Sequence, residues 1–533
     1  MSDATLALPL EQAPWVPRYN IWLIGVVVAM AAFMEVLDTS IANVALPYIG
    51  GGLGVSNDDS TWVLTSYLVS NAIVLPISGW LAVRFGRKRF FMVCLAIFTL
   101  SSLLCGMATT FPLLLLFRGM QGAGGGGLQP MAQAILADTF PPEKRGMAFA
   151  LYGITAVFAP TVGPTLGGWI TFSYSWRWIF FINFPVGLAT LLLVFRLIED
   201  PPYLGRLKAA GVKLDYIGIA LLALGIGALQ VILDRGEEDD WFGSHIILTL
   251  AIVSAVCLVS LVIWEWFNKH PVIEVRLFKN FNYLSSNLMM FNFGLLLFSS
   301  LVMMPLYLQT LLGYTAELAG FVLSGGGLVV VLAMPLVGQL VNKFQVRYII
   351  AFGWLCLAIG MYYSTQRIDL TISFVSASWL RVAQVVGLGF LFVPVTMAAY
   401  IGMPTEKSNA VAGMVNFMRN IGSSVGTSMV TTLIDRRSEY HQSVLISHTV
   451  PGSQSFQNLV QGAKQLYMHS GMSPPDALHK AYASIYQMVQ AQAATLAYID
   501  TFMVLAVISA IMFVLSFILK KNEPGAGGAA AVG

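Results

Sequence analysis

Long apolar runs alternate with short polar ones along almost the whole chain. A bilayer core of about 30 Å takes about 20 apolar residues as a helix, and in hydrocarbon every backbone N–H and C=O must be paired within its own segment. The pattern therefore predicts spans near 21–46, 61–82, 90–109, 112–137, 147–171, 178–197, 215–234, 245–267, 286–311, 318–341, 348–366, 374–402, 409–434 and 497–519. This is an all-α polytopic membrane protein with fourteen spans, an even number that leaves both termini on one side. Polar residues inside the runs carry the information. The first run holds Glu35, Asp38 and Asn43, the fourth Arg118 and Gln121, and the ninth Asn287 and Asn292. The twelfth holds Arg381 and Gln384, and the thirteenth Asn416, Arg419 and Asn420.

Composition agrees: 57% of the 533 residues are hydrophobic and 10% charged, where a soluble domain carries roughly 25% charged residues. The net charge of +3 is close to neutral for this length, and no basic run resembles a nucleic-acid arm, so no nucleic-acid partner is expected. Lysine and arginine are biased by position. Nineteen of the 29 fall in the segments that share a side with the N-terminus, seven in the opposite set and three within spans, which predicts cytoplasmic N- and C-termini. No cleavable signal precedes the first span. Cys94, Cys105, Cys257 and Cys356 lie far apart in apolar segments, with neither disulfide nor metal spacing. The six histidines fall in loops or at span ends, without a partnered acid. No metal and no cofactor is expected.

Residues 435–496 form a polar external segment, weakly amphipathic around Asp476 to Ala494. Two readings stand for it: a disordered or loosely helical loop, or a docking surface for an external partner. The tail from Pro524 is low-complexity and expected to be disordered.

The chain also repeats itself. Arg118 and Gln121 recur as Arg381 and Gln384, "PPEK" at 141–144 as "PTEK" at 404–407, Gly163 as Gly426, and "GWLAVRF" at 79–85 as "GQLVNKF" at 338–344. This divides the chain into a six-helix half (1–200), two inserted helices with linkers (201–280), a second six-helix half (281–519) and a tail (520–533). Two similar halves around a midplane site are the architecture of a rocking transporter.

The stretches "VLDTSIANVALP" (36–47), "GWLAVRFGRKR" (79–89), "LLLFRGMQGAGGG" (114–126), "GPTLGG" (163–168), "WRWIFFINFPVG" (176–187), "ILDRG" (232–236), "DWF" (240–242) and "NFMRNIGSSVGTS" (416–428) occur in this order. Together they resemble the major facilitator superfamily, and within it the fourteen-span drug:proton antiporters, a family of multidrug efflux pumps. The resemblance covers essentially the whole chain. It implies the major facilitator fold, export of small hydrophobic molecules in exchange for protons, and a multi-pass location in a bacterial inner membrane. It further implies association with a periplasmic adaptor and an outer-membrane channel.

The residues support separate readings. Glu35 and Asp38 are spaced i, i+3 and share a helix face, where a mid-bilayer charge costs about 2.5–3.5 kcal/mol. A carboxylate that is neutral when enclosed and ionised when water reaches it is a proton carrier. The alternatives are a fixed salt bridge to Arg118 for Asp38 and a contact with cationic substrate for Glu35. Arg118 needs an anionic or carbonyl partner, and Asp38 is the nearest chemical candidate; the resemblance implies a part in proton transfer, and a purely structural clamp is the other reading. Asn43 reads as an interhelical hydrogen-bond partner more than as a substrate ligand. Gln121, Asn292, Gln384, Asn416 and Arg419 are candidate substrate contacts or packing partners.

"GPTLGG" predicts a bend at a helix interface through Gly163, Pro164, Gly167 and Gly168; the resemblance makes it the mark of an exporter. The turn bearing Gly79, Arg84, Gly86 and Arg87 reads either as an orientation anchor or as a latch. Val83 stands where the superfamily pattern has an acid, so the acidic half of that latch is missing, and whether Asp138 substitutes is left open. Three other classes compete: a dedicated exporter of one metabolite, siderophore or lipid-like molecule; a membrane acyl or glycosyl transferase; and a receptor that kept the fold without transport.

Overall fold

In the computed structural model residues 17–202, 215–447, 449 and 452–521 are described. The tail from 522 and the cations Arg206, Lys208 and Lys213 lie outside them. The described residues are helical, with no strand. The long helices are α1 (Ile21–Leu53), α2 (Trp62–Phe85), α3 (Arg87–Met107), α4 (Phe111–Thr139), α5 (Pro142–Ser173), α6 (Asn183–Leu197), α7 (Tyr216–Arg235) and α8 (His245–Phe267). They continue as α9 (Phe281–Thr310), α10 (Ala316–Leu340), α11 (Val346–Arg367), α12 (Phe374–Gly389), α13 (Phe392–Tyr400), α14 (Ser408–Ser447), α15 (Gln454–His469) and α16 (Pro474–Ser516).

Among the described residues, twelve helices are long and apolar enough to cross a membrane by length and composition. They match twelve of the predicted spans. The other two, 112–137 and 409–434, form α4 and α14 at spanning length but fall outside the composition test. Both carry interior polar side chains: Arg118, Gln121, Gln129 and Gln133 on α4, Asn409, Asn416 and Arg419 on α14, all buried.

Helices α1 to α6 pack together as one bundle, and α9 to α14 with α16 as another. The bundles meet along α5 with α10, α2 with α14 and α4 with α14, while the α7–α8 pair leans on α2 and α14. Equivalent glycines do equivalent work. A Cβ on Gly163 of α5 would lie 2.3 Å from Ser40 Oγ of α1, and one on Gly426 of α14 would lie 2.5 Å from the Leu295 carbonyl of α9. Pro164 has no N–H for the Pro160 carbonyl, and Ser40 Oγ donates to that carbonyl at 3.0 Å instead. The GPTLGG stretch is thus a seam between α5 and α1 within one uninterrupted helix. Gly167 shares the close approach, whereas Gly168 meets α1 at an ordinary 3.9 Å.

Residues 435–496 differ from the loop reading. Those described are ordered helix: α14 and α16 run on beyond any span length, and α15 packs on α16 with Val460 buried and Phe456 beside Tyr482. A search for apolar runs of span length passes over α15, which is amphipathic with little overall hydrophobicity. The hairpin is tied at its base where Arg437 Nε and His441 Nε2 meet Asp500 Oδ2 at 2.6 and 2.7 Å. His441 therefore does have an acid partner, 59 residues away and illegible in sequence. No cluster of metal-ligating residues occurs among the described residues.

Candidate functional site

Glu35 and Asp38 sit one turn apart on α1, each 2% exposed. Asp38 is saturated. Arg118 Nη1 donates to Oδ2 at 2.6 Å, and Gln121 Nε2 and Asn183 Nδ2 donate to Oδ1 at 2.9 and 2.6 Å. Arg118 is held in turn by Gln121 Oε1 at 2.8 Å and by the Val63 carbonyl at 3.1 Å, with its guanidinium 4.4 Å from the Tyr67 ring centroid. Asn183 also donates to Ser102 Oγ at 3.0 Å.

Glu35 has a different environment. Its Oε1 accepts from Tyr67 Oη at 2.9 Å and Asn71 Nδ2 at 3.0 Å, and its Oε2 accepts from Gln129 Nε2. No cation forms an ion pair with it among the described residues; the cation acting on it is Arg419 of the other bundle. The glycine run of α4 makes this possible. A Cβ on Gly122 would lie 2.2 Å from the Tyr67 carbonyl and one on Gly126 2.7 Å from the Asn71 carbonyl. Without them α2 could not bring Tyr67 and Asn71 onto Glu35.

From Glu35 the polar chain crosses between bundles. Tyr152 Oη donates to Asn416 Oδ1 at 2.8 Å and lies 3.4 Å from Gln129 Oε1, while Asn416 Nδ2 donates to Gln133 Oε1. Asn420 Nδ2 donates to Asn71 Oδ1 at 3.3 Å. Arg419 is 4% exposed beside Tyr152, and its Nη1 is buried with no hydrogen-bond partner. The site therefore joins α1, α2, α4, α5 and α14 around one carboxylate without an ion-pair partner among the described residues and one guanidinium whose Nη1 makes none of the described hydrogen bonds.

Other candidates are elsewhere. Asn43 is exposed on α1 and makes none of the described side-chain hydrogen bonds, unlike the interhelical role expected of it. Asn292 bonds its own helix at the Leu288 carbonyl, 2.9 Å away. Arg381 and Gln384 repeat the Arg118–Gln121 geometry without an acid: Arg381 Nη1 reaches the Ser300 carbonyl at 3.1 Å and Gln384 Oε1 at 3.5 Å. Tyr67, Asn71, Gln129, Gln133, Tyr152 and Asn183 were not singled out in the sequence. Two of these pairs, Tyr67/Asn71 and Gln129/Gln133, are polar at i, i+4 in otherwise apolar spans, which was the available signal.

The basic turn is a closed contact. Arg87 Nη2 pairs with Asp138 Oδ2 at 2.7 Å, both nearly fully buried, so Asp138 supplies the acid that Val83 does not. Gly86 takes φ +95° between α2 and α3. Next to it the Lys88 N–H donates to Asp200 Oδ1 at 2.7 Å. Arg84 is exposed. At this end the bundles touch directly: a Cβ on Gly79 would lie 2.9 Å from the Asn409 carbonyl, and Asn342 Nδ2 donates to the Glu143 carbonyl at 2.8 Å.

Two helical bundles meeting at a buried polar site, shut at one end, define a membrane carrier. The chain belongs to the major facilitator superfamily, whose family model matches residues 28–427; members of this superfamily are transporters. Among curated proteins it is 40% identical to the multidrug export protein EmrB of Haemophilus influenzae over 81% of this chain and 85% of that one. It is 39% identical to the fatty acid resistance protein FarB of Neisseria gonorrhoeae, over 80% and 83% respectively. The proton:xylose symporter XylE superimposes over 95% of this chain and 98% of its own with a TM-score of 0.60 at 15% identity, a likeness of fold.

Proposed function

We propose that this protein is a proton-coupled efflux transporter, exporting hydrophobic or amphiphilic compounds by alternating access across a bacterial inner membrane, and not an enzyme. We read it as fourteen spans with both termini and the basic end cytoplasmic, as halves 1–200 and 281–519 around the insert 201–280. The observation that carries the reading is Glu35, buried where the two bundles meet with donors but no ion-pair partner among the described residues. Such a carboxyl trades a proton for another partner when the halves rock. Asp38, fixed to Arg118, holds the adjacent charge that each cycle must rearrange. Energy suffices: a proton crossing ~150 mV supplies ~3.5 kcal/mol, a several-hundredfold gradient of neutral cargo.

In acid-loaded everted vesicles followed with a pH-sensitive dye, adding tetraphenylphosphonium or oleate is expected to release protons from wild type and not from Asp38→Asn. Absence of release from verified protein with either probe removes the antiport reading. A dedicated exporter of a lipid-like acid is the second reading, favoured by the unpartnered Arg419 Nη1 facing the site and by the name of the gonococcal relative. Release by oleate alone selects it.

We also infer that the α14–α15–α16 hairpin meets a periplasmic adaptor of a tripartite pump leading to an outer-membrane channel. Exposed Leu459, Leu466, Met468, Met472 and Met488 on it support docking. Deleting residues 449–472 is expected to spare transport in vesicles and abolish resistance in cells; equal effects on both count against docking.

A further inference from the structure

The inserted helix α7 carries a half-buried carboxylate, Asp234, against the bundles. Asp234 lies one residue from the end of α7, wedged where α2 and α14 come together. Its Oδ2 is out of solvent and makes none of the described hydrogen bonds, and the neighbouring donor is the hydroxyl of the buried Thr65 of α2, held only by a long 3.4 Å bond to the Thr61 carbonyl. No cation pairs with it among the described residues. Its charged neighbours are Arg235 and Glu238. Arg235 Nη1 is occupied, at 2.8 Å each, by Glu238, the Asp58 carbonyl and Thr61 Oγ1, while its Nε is buried without a hydrogen-bond partner. From α2 the facing group is Thr65, and from α14 Ser424 and Asn420; α8 presents no charged group to it.

Two runs of hydrogen bonds that meet at Asn420, one on its backbone carbonyl and one on its side chain, link this carboxylate to Glu35. Gln230 Nε2 donates to Asp234 Oδ1 at 3.1 Å and to Ser424 Oγ at 2.9 Å. Ser424 lies one turn beyond Asn420 on α14 and bonds the Asn420 carbonyl at 3.3 Å. Asn420 Nδ2 donates to Asn71 Oδ1 at 3.3 Å, and Asn71 Nδ2 donates to Glu35 Oε1 at 3.0 Å. The string runs from the insert to the second bundle and then to the first.

We propose that Asp234 is a proton-binding carboxyl whose protonation state is felt at Glu35 through this string, which makes the insert part of the coupling machinery. An ionised carboxylate is acceptor-only, whereas a protonated one donates. A buried oxygen with only a weakly placed hydroxyl nearby is costly as part of a carboxylate and satisfied by carrying the proton itself. Taking up or giving up that proton changes what Gln230 can donate to, hence how Ser424 seats this turn of α14, which carries the Asn420 side chain that bonds Asn71. Side-chain amides do not need to pass the proton along; they pass the orientation. The inference deepens the proton-coupled reading and rests on Glu35 being its proton carrier.

The test reads protonation directly and needs no cargo. The full-length protein in lipid is titrated while the infrared carbonyl band of protonated carboxyl groups is followed. Asp234→Asn is expected to remove one titrating band and to shift the midpoint of the band that Glu35→Gln removes, by about half to one pH unit. Gln230→Leu, which cuts the string and leaves both acids, should keep the Asp234 band and produce the same shift in Glu35. A spectrum of Asp234→Asn identical to wild type across the titration overturns the proposal, as does loss of its band with an unmoved Glu35 midpoint. A merely structural anchor would lower the melting temperature and move neither band. Failure of proton-coupled transport in vesicles leaves this titration readable, so the two ideas fail separately.

Discussion

Arg118→Leu is expected to destabilise the protein by about 3–5 kcal/mol, because it leaves a buried carboxylate without its cation. Asp38 and Arg118 are 2.6 Å apart and essentially unexposed, so solvent cannot take over the missing charge. Adding Asp38→Asn to the same chain should recover most of the loss, since the Gln121 and Asn183 amides can still donate to an asparagine carbonyl. Melting temperatures of the purified single and double variants decide the matter. A double variant as unstable as the single one would place the loss in the Tyr67 stacking and Val63 carbonyl contact of the guanidinium, with the ion pair contributing nothing.

For Glu35→Gln the expected effect is on coupling, with stability held to within about 1 kcal/mol. Glutamine keeps an acceptor for Tyr67 and Asn71, and its new amide can meet Gln129 once that side chain turns its oxygen inward. The proton is lost for good. Uphill export should collapse from a several-hundredfold cargo gradient towards none, while exchange of labelled for unlabelled probe, which moves no net proton, continues. Measuring both in the same proteoliposomes separates the roles: loss of exchange as well would make Glu35 a cargo ligand.

Much of the fold was legible because lipid leaves the backbone few choices. The apolar runs marked helices, and the missing acid at Val83 could be noticed without knowing that Asp138 replaced it, since the pair spans α3 and α4. Asp38 and Arg118 could be matched by chemistry alone, being complementary charges in otherwise apolar spans. The partners of Glu35 could not, because Tyr67, Asn71 and Gln129 come from two other helices whose rotation about their axes the sequence does not state. Asp234 sat in plain view at the end of an apolar run, where an end-of-span acid reads as a solvated one. The α14–α15–α16 hairpin was missed for a different reason: α15 is amphipathic with too little overall hydrophobicity to stand out as an apolar run.

One consequence of α14 follows from its continuity. It is a single helix of 40 residues, about 60 Å long at 1.5 Å per residue. It touches the basic-end crossing at Asn409, the central network at Asn416 and Asn420, and the hairpin base at Arg437 and His441. In the proposed rocking cycle it would act as a lever with its fulcrum at the polar centre. Whatever grips its far arm loads the near one, so a bound partner would set the pace of rocking mechanically, through torque on one rod, without any contact to cargo or proton.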